Sequence, residues 1–210
     1  MAELKTHIPR REKLTVLEIG CSSGRWLRWF EKEYGAQVYG VDLNPVQASK
    51  VDRFILGDGL NLPLLDGTFD IVFSLGLIEH FPDVQTRERL VAEHVRVAKQ
   101  KTGVIWIGLP NMNFSLSCLW TKFYYDHILG YQHYRVTSQE MFRHFRHGHV
   151  QILRSRFLGW FPAILMRHLT RRLCHHDLSL AGAPAGRWWE KKLFEHSWTA
   201  DDFLIIGRKE

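Results

Sequence analysis

Short, nearly unbroken apolar runs alternate with amphipathic stretches through the first two-thirds of the chain. The runs 14–19, 37–42, 53–56, 69–75 and 103–108 are four to seven residues long and end at, or directly before, Gly or Asp. Runs of that length and composition read as strands of a parallel sheet, buried on both faces. Between them, 24–34, 45–51 and 85–99 carry apolar residues at helical spacing, the second opening with Pro45 after Asn44. The alternation predicts right-handed βαβ crossovers and an α/β domain with helices on both faces of the sheet. Further on, Thr137-Ser138-Gln139-Glu140 has the form of a capping box and starts a helix that runs to about His147. Residues 149–157 follow as a strand, and 202–208 form a closing strand. There is no internal repeat and no low-complexity tract.

The chemistry sits where these strands end. Val16-Leu17-Glu18-Ile19-Gly20-Cys21-Ser22-Ser23-Gly24 runs from a strand into a glycine-punctuated turn ahead of a helix. Such a turn brings main-chain N–H groups close to a ligand. A dinucleotide site uses G-x-G-x-x-G to touch a pyrophosphate. Here Gly20 and Gly24 are separated by three residues, and Glu18 stands two before the first glycine. That carboxylate repels a pyrophosphate and suits a cationic ligand bearing an amino group and a sulfonium. Asp42, with Leu43 beside it, closes the second strand 22 residues after Gly20, where an acid accepts hydrogen bonds from ribose hydroxyls. Asp58 closes the third and is suited to an adenine amino group, with the backbone of Gly59 and Leu60 approaching the base. The carbonyls of Ser74 and Leu75, at the end of the fourth, are placed to accept from the ligand's ammonium. Each acid alone reads equally well as a helix cap. Their order and spacing carry the assignment. Cys21 has no base beside it in the turn and reads as a packed residue.

These elements resemble the class I S-adenosylmethionine-dependent methyltransferases, in particular a small-molecule group. The matching motifs are Gly20-Cys21-Ser22-Ser23-Gly24, Val41-Asp42, Gly57-Asp58, Leu62-Pro63-Leu64-Leu65-Asp66-Gly67-Thr68-Phe69-Asp70 and Leu77-Ile78-Glu79-His80. Gly108-Leu109-Pro110-Asn111 resembles the P-N after the fifth strand, and Gln132-His133-Tyr134-Arg135-Val136-Thr137 the H-x-x-x-T/S element before a helix. The resemblance covers about 14–155 and the closing strand. It implies a Rossmann-like, seven-stranded, mostly parallel sheet with an antiparallel last strand and a lid insertion before it. It also implies S-adenosyl-L-methionine as cofactor and a small-molecule or lipid- or sugar-linked acceptor, methylated on oxygen ahead of nitrogen or carbon. In that group the histidine matching His133 faces the acceptor, so His133 and His80 become candidates for taking a proton from a hydroxyl. Glu79 and His80 also read as a pair that merely orders its loop. Three features depart from the group: Ser22 replaces a frequent glycine, Ala98-Lys99-Gln100-Lys101-Thr102-Gly103 replaces L-K-P-G-G, and 156–198 matches nothing.

With 210 residues, 45% hydrophobic and 24% charged, the chain reads as one globular domain. A cofactor half at 1–110 precedes an acceptor and lid half at 111–200. Cys21, Cys118 and Cys174 are scattered, and the N-terminal stretch lacks an apolar core, so a reducing, cytoplasmic setting without a secretory signal is expected. Charge is uneven. Residues 1–100 hold 13 basic and 14 acidic side chains, whereas 101–195 hold 13 and 5. The acceptor half is therefore basic. Within it, 157–173 pairs an apolar stripe (Phe161, Leu165, Leu169, Leu173) with Arg167, Arg171 and Arg172. That pattern reads either as a surface helix packed on its own domain or as a peripheral membrane contact. Nucleic acid is not expected as a partner, because Ser74-Leu75-Gly76-Leu77 stands where base-modifying methyltransferases carry N-P-P-Y. His144, His147 and His149 lack a neighbouring Cys or carboxylate to complete a site, and no metal is expected. The alternative to an enzyme is a catalytically silent, cofactor-binding scaffold of the same fold.

Overall fold

A computed structural model describes residues 7–9, 13–46, 51–110, 127, 133–158 and 202–210. The strands are β1 (Thr15–Ile19), β2 (Gln37–Asp42), β3 (Phe54–Leu56), β4 (Ile71–Leu75), β5 (Val104–Pro110), β6 (Val150–Leu158) and β7 (Asp202–Lys209). Among the described residues the helices are α1 (Arg25–Tyr34), α2 (Val84–Val97) and α3 (Ser138–His147), and a 3-10 turn lies at Ile78–His80. The strands form one seven-stranded sheet in the order β3-β2-β1-β4-β5-β7-β6. β1 to β5 are mutually parallel, and β7 runs antiparallel between β5 and β6. The expected mostly parallel sheet with an antiparallel last strand is what forms. The helix expected over 45–51 is described only at its ends, and the lid segments 111–131 and 156–198 lie almost wholly outside the described residues, as does 157–173 beyond Leu158.

The continuous apolar runs sort by a period of two onto the two faces. Val16, Ile71, Phe73, Val104, Trp106 and Ile206 pack with Leu27 and Phe30 of α1. Leu17, Val72, Ile105, Ile107 and Ile205 pack on the other side with Leu90 and Val91 of α2 and Met141 and Phe145 of α3. Aromatic rings anchor the first layer, with Phe73 stacked on Trp106 at 5.3 Å between centroids and Phe30 tilted against Phe73 at 5.5 Å.

Helix ends follow local chemistry. Asp83 caps α2, its carboxylate accepting from Thr86 N at 2.7 Å. α2 stops at Val97 rather than at residue 99, because Lys99 N leaves the helix ladder to donate to Phe69 O at 2.9 Å. Thr137 caps α3 by accepting from Glu140 N, one half of the expected capping box. The reciprocal half is diverted. The Glu140 carboxylate accepts from buried Arg87 at 2.6 Å and contacts His144 at 3.2 Å, which ties α3 to α2.

Three further carboxylates organise the sheet edge opposite the strand tips and the loop into β4. Asp70 is buried, and burial pushes its pKa up. Donation from Thr15 N, Thr15 Oγ1 and Lys99 outweighs this and leaves it below its ordinary value. Asp66 and Glu93 both engage Arg96, which also donates to Leu62 O and Leu64 O and so holds the 62–70 loop.

Candidate cofactor and acceptor site

The carboxyl ends of β1 to β4 lie along one edge of the parallel sheet, and four of the anticipated groups meet there. Gly20 N and Cys21 N both donate to Val41 O, at 2.8 and 3.0 Å, so the turn after β1 is bonded to β2 just before Asp42. Gly20, Ser22 and Gly24 all take left-handed φ values of 71°, 44° and 65°. Ser22 thus adopts the conformation for which a glycine is the usual occupant. Its N–H donates to Asp42 Oδ2 at 2.9 Å, an offset to the strain that holds the turn in this shape. Arg28 Nη1 donates to Ser23 O and closes the turn from the α1 side. Leu77, from the loop after β4, lies where a side chain on Gly20 would stand, which joins the β1 and β4 tips.

Glu18 is the most perturbed group at this edge. It is 4% exposed, and its Oε2 has no hydrogen-bond donor among the described residues. Burial, followed by repulsion from Asp42, raises its pKa to about 8, with Arg28 partly compensating. An orphaned, electron-rich carboxyl oxygen at a strand tip is what a cationic amino-acid ligand fits. The Cys21 thiol is pushed up to about 12 by burial and by Glu18 and Asp42. It is inert, as its packed position in the sequence suggested. Gly40 makes room for it, since a Cβ there would stand 2.6 Å from the Cys21 sulfur.

The two aspartates also order their own loops. Asp42 Oδ1 accepts from Asn44 N and Asp58 Oδ1 from Leu60 N, both at 2.9 Å. Each carboxylate keeps further lone pairs for a ligand. Leu43 is 69% exposed beside Asp42. Gly59 has a packing role as well, because a Cβ there would meet Ile19 and Leu90 at 3.0–3.1 Å. At the β4 tip the Ser74 side chain points into the core, away from the ligand edge. His94 Nδ1 donates to Leu90 O at 2.7 Å, so Nε2 accepts the Ser74 hydroxyl at 3.0 Å. Burial drives the His94 pKa down to about 4 and keeps the ring neutral. Only the backbone of Ser74 remains for a ligand. The buried His94 was not singled out in the sequence, and an i−4 carbonyl partner gives no sequence signal.

Beyond β4, Glu79, His80 and His133 come together. Tyr134 N donates to Glu79 O at 2.7 Å and ties the segment before α3 to the 3-10 turn. His133 Nε2 lies 3.9 Å from Glu79 Oε1, and the His80 and His133 rings are 4.7 Å apart. Glu79 and His133 are buried and His80 is exposed. The other histidine group disperses: His144 turns inward to Glu140, and His147 turns outward to Glu88 at 2.8 Å.

The fold, the glycine turn and the strand-tip acids together make a Rossmann-like domain whose candidate site lies at the tips of β1 to β4. Residues 17–107 match the family model described as a methyltransferase domain. The chain is 34% identical over 121 residues to norajmaline N-methyltransferase of Rauvolfia serpentina, covering 52% of this chain and 40% of that one. It is 32% identical over 112 residues to the chloroplastic tocopherol O-methyltransferase of Arabidopsis thaliana, covering 48% and 31%. The chain therefore spans less than half the length of these curated relatives. Its fold superposes on a SAM-dependent methyltransferase of Archaeoglobus fulgidus with a TM-score of 0.68 at 21% identity, covering 99% of this chain and 92% of the other. No helix among the described residues is long and apolar enough to cross a membrane.

Proposed function

We propose that this protein transfers the methyl group of S-adenosyl-L-methionine to a small-molecule acceptor, with oxygen as the atom methylated. One observation carries the cofactor part: the buried Glu18 carboxyl, lacking a donor for one oxygen, at a turn where Gly20 and Gly24 leave the main chain bare. In this reading Glu18 and the carbonyls of Ser74 and Leu75 take the methionine ammonium. Gly20, Cys21, Ser22 and Gly24 line the methionine chain, and Asp42 accepts from the ribose with Leu43 beside it. Asp58, Gly59 and Leu60 meet the adenine.

The sulfonium is already an activated leaving group, so the protein's work is positioning and the fate of one proton. Positioning alone supplies up to ~7–11 kcal/mol. The acceptor oxygen forms its bond to the methyl carbon as the carbon–sulfur bond breaks and the electron pair stays on sulfur. His133 and His80, beyond the β4 tip, are the groups suited to relieve that oxygen of its proton. The curated relatives are named for tocopherol and norajmaline, which supports a small organic acceptor. A lipid-linked acceptor and a membrane contact through 157–173 rest on the sequence pattern alone, as does the cytoplasmic setting suggested by the scattered cysteines.

Calorimetry with S-adenosylmethionine, followed by mass spectrometry of extracts supplied with methyl-labelled cofactor, tests the proposal. Binding with a labelled small molecule supports it. Binding without any labelled product points to the silent scaffold, and no binding at millimolar cofactor refutes it.

A further inference from the structure

We propose that Glu79, His80 and His133 form a binding site for one divalent first-row transition metal ion beside the acceptor. The metal site stands on its own geometry. Only its role in methyl transfer rests on the function proposed above.

Among the described residues this is the one group of three His, Cys, Asp or Glu side chains whose ligand atoms all lie within 4.8 Å of one another. Ligands of a single ion at ~2.0–2.2 Å stand about 3–3.5 Å apart. The cluster is thus up to about 1.3–1.8 Å wider than its metal-bound form, a gap that rotation of the exposed His80 and of His133 has to close. The frame carrying them is fixed. Glu79 and His80 are consecutive on the 3-10 turn, and the Tyr134 N bond to Glu79 O holds the neighbouring His133 to that turn.

Two imidazoles and one carboxylate are the donor set of catalytic zinc and of non-haem iron sites. Hard calcium and magnesium sites prefer oxygen donors throughout. Three protein ligands also leave coordination positions open. Gly76 has a φ of 70°, and a Cβ there would stand 3.4 Å from Glu79 Oε1. With Glu79 and His133 buried and His80 exposed, the cluster has a closed side and a side open toward solvent.

The chemical consequence is specific. A hydroxyl acceptor on such an ion is more acidic than in water. Its O–H bond breaks and the proton goes to solvent. The oxygen then bonds to the methyl carbon as the carbon–sulfur bond breaks and sulfur keeps the electron pair. In the metal-bound form His80 and His133 serve as ligands, so the ion replaces them in relieving the acceptor oxygen of its proton.

The experiment uses the full chain without a polyhistidine tag, stripped with chelator and titrated with Co²⁺ by calorimetry and visible absorption. S-adenosylmethionine affinity is measured on the same samples. One Co²⁺ per chain is expected, with binding weakened at least tenfold in His80→Ala, His133→Ala and Glu79→Gln and unchanged in His147→Ala. His80 is exposed, so its variant keeps the fold, and retained cofactor affinity checks this. Absence of Co²⁺ binding at millimolar ion, or equal affinity in wild type and His80→Ala, overturns the metal site. Cofactor binding without Co²⁺ binding removes the metal site and leaves the proposed function intact. Co²⁺ binding without cofactor binding does the reverse.

Discussion

Replacing Glu18 with glutamine separates what this residue costs the fold from what it gives the ligand. The folded protein raises the Glu18 pKa from 4.5 to about 8. In the fold the proton is held more tightly than in the unfolded chain, so stability is fully present below about pH 4.5 and is lost as pH rises toward 8. At about 1.4 kcal/mol per pH unit the full penalty is on the order of 5 kcal/mol above pH 8. Glutamine has nearly the same shape and no charge, but leaves a buried amide imperfectly paired at a cost of about 1–3 kcal/mol. The net gain for Glu18→Gln at pH 8.5 is therefore on the order of 2 kcal/mol, or about 4–8 °C in Tm for a chain of this size. At pH 5 that gain vanishes.

Cofactor binding should move the other way, weakening about 10–100-fold as the charge-assisted bond to the ammonium is lost. Binding to the wild type at pH 7 should also release close to one proton, because the free carboxyl is mostly protonated and the bound one is not. Thermal melts at pH 5 and 8.5, with calorimetry in buffers of different ionisation enthalpy, measure all three effects. A variant destabilised equally at both pH values, with cofactor affinity and proton release unchanged, refutes the assignment of Glu18 to the ligand.

His133→Ala should lower kcat at least tenfold while cofactor affinity holds, which steady-state kinetics and calorimetry check together. Ser74→Ala should leave cofactor affinity unchanged, because only the backbone of Ser74 faces the ligand edge. It should cost about 1–3 kcal/mol in urea unfolding, since His94 Nε2 loses its donor. His94 itself, neutral in the fold with a pKa of about 4, makes stability fall as pH drops from about 6.5 to 4. His94→Gln should flatten that part of the pH–stability curve. Glu140→Ala, which leaves the buried Arg87 uncompensated, should cost about 3–5 kcal/mol. Thr137→Ala, which removes only the cap, should cost about 1 kcal/mol.

Much of this protein is legible in its residues alone, and for a physical reason. Strands buried on both faces must be apolar throughout, so 14–19, 37–42, 69–75 and 103–108 announce themselves, and β1, β2, β4 and β5 fall within them to one or two residues. The glycine turn and the acids that end β1 and β2 are local signals too, because Gly20, Gly24 and Asp42 act through the backbone at or near their own positions. Local pattern does not determine where a side chain is aimed once another element competes for it. Glu140 belongs by sequence to a capping box, yet Arg87, 53 residues away, takes its carboxylate. Ser74 ends a strand at the ligand edge, yet its hydroxyl serves His94. The Glu79–His80–His133 cluster spans more than fifty residues of sequence and comes together where the Tyr134 N bond to Glu79 O joins the 3-10 turn to the segment before α3. Propensity and periodicity are short-range and survive folding. The partner of a buried charge is chosen by whichever group the packed layers bring within hydrogen-bonding distance, and only the tertiary structure decides that.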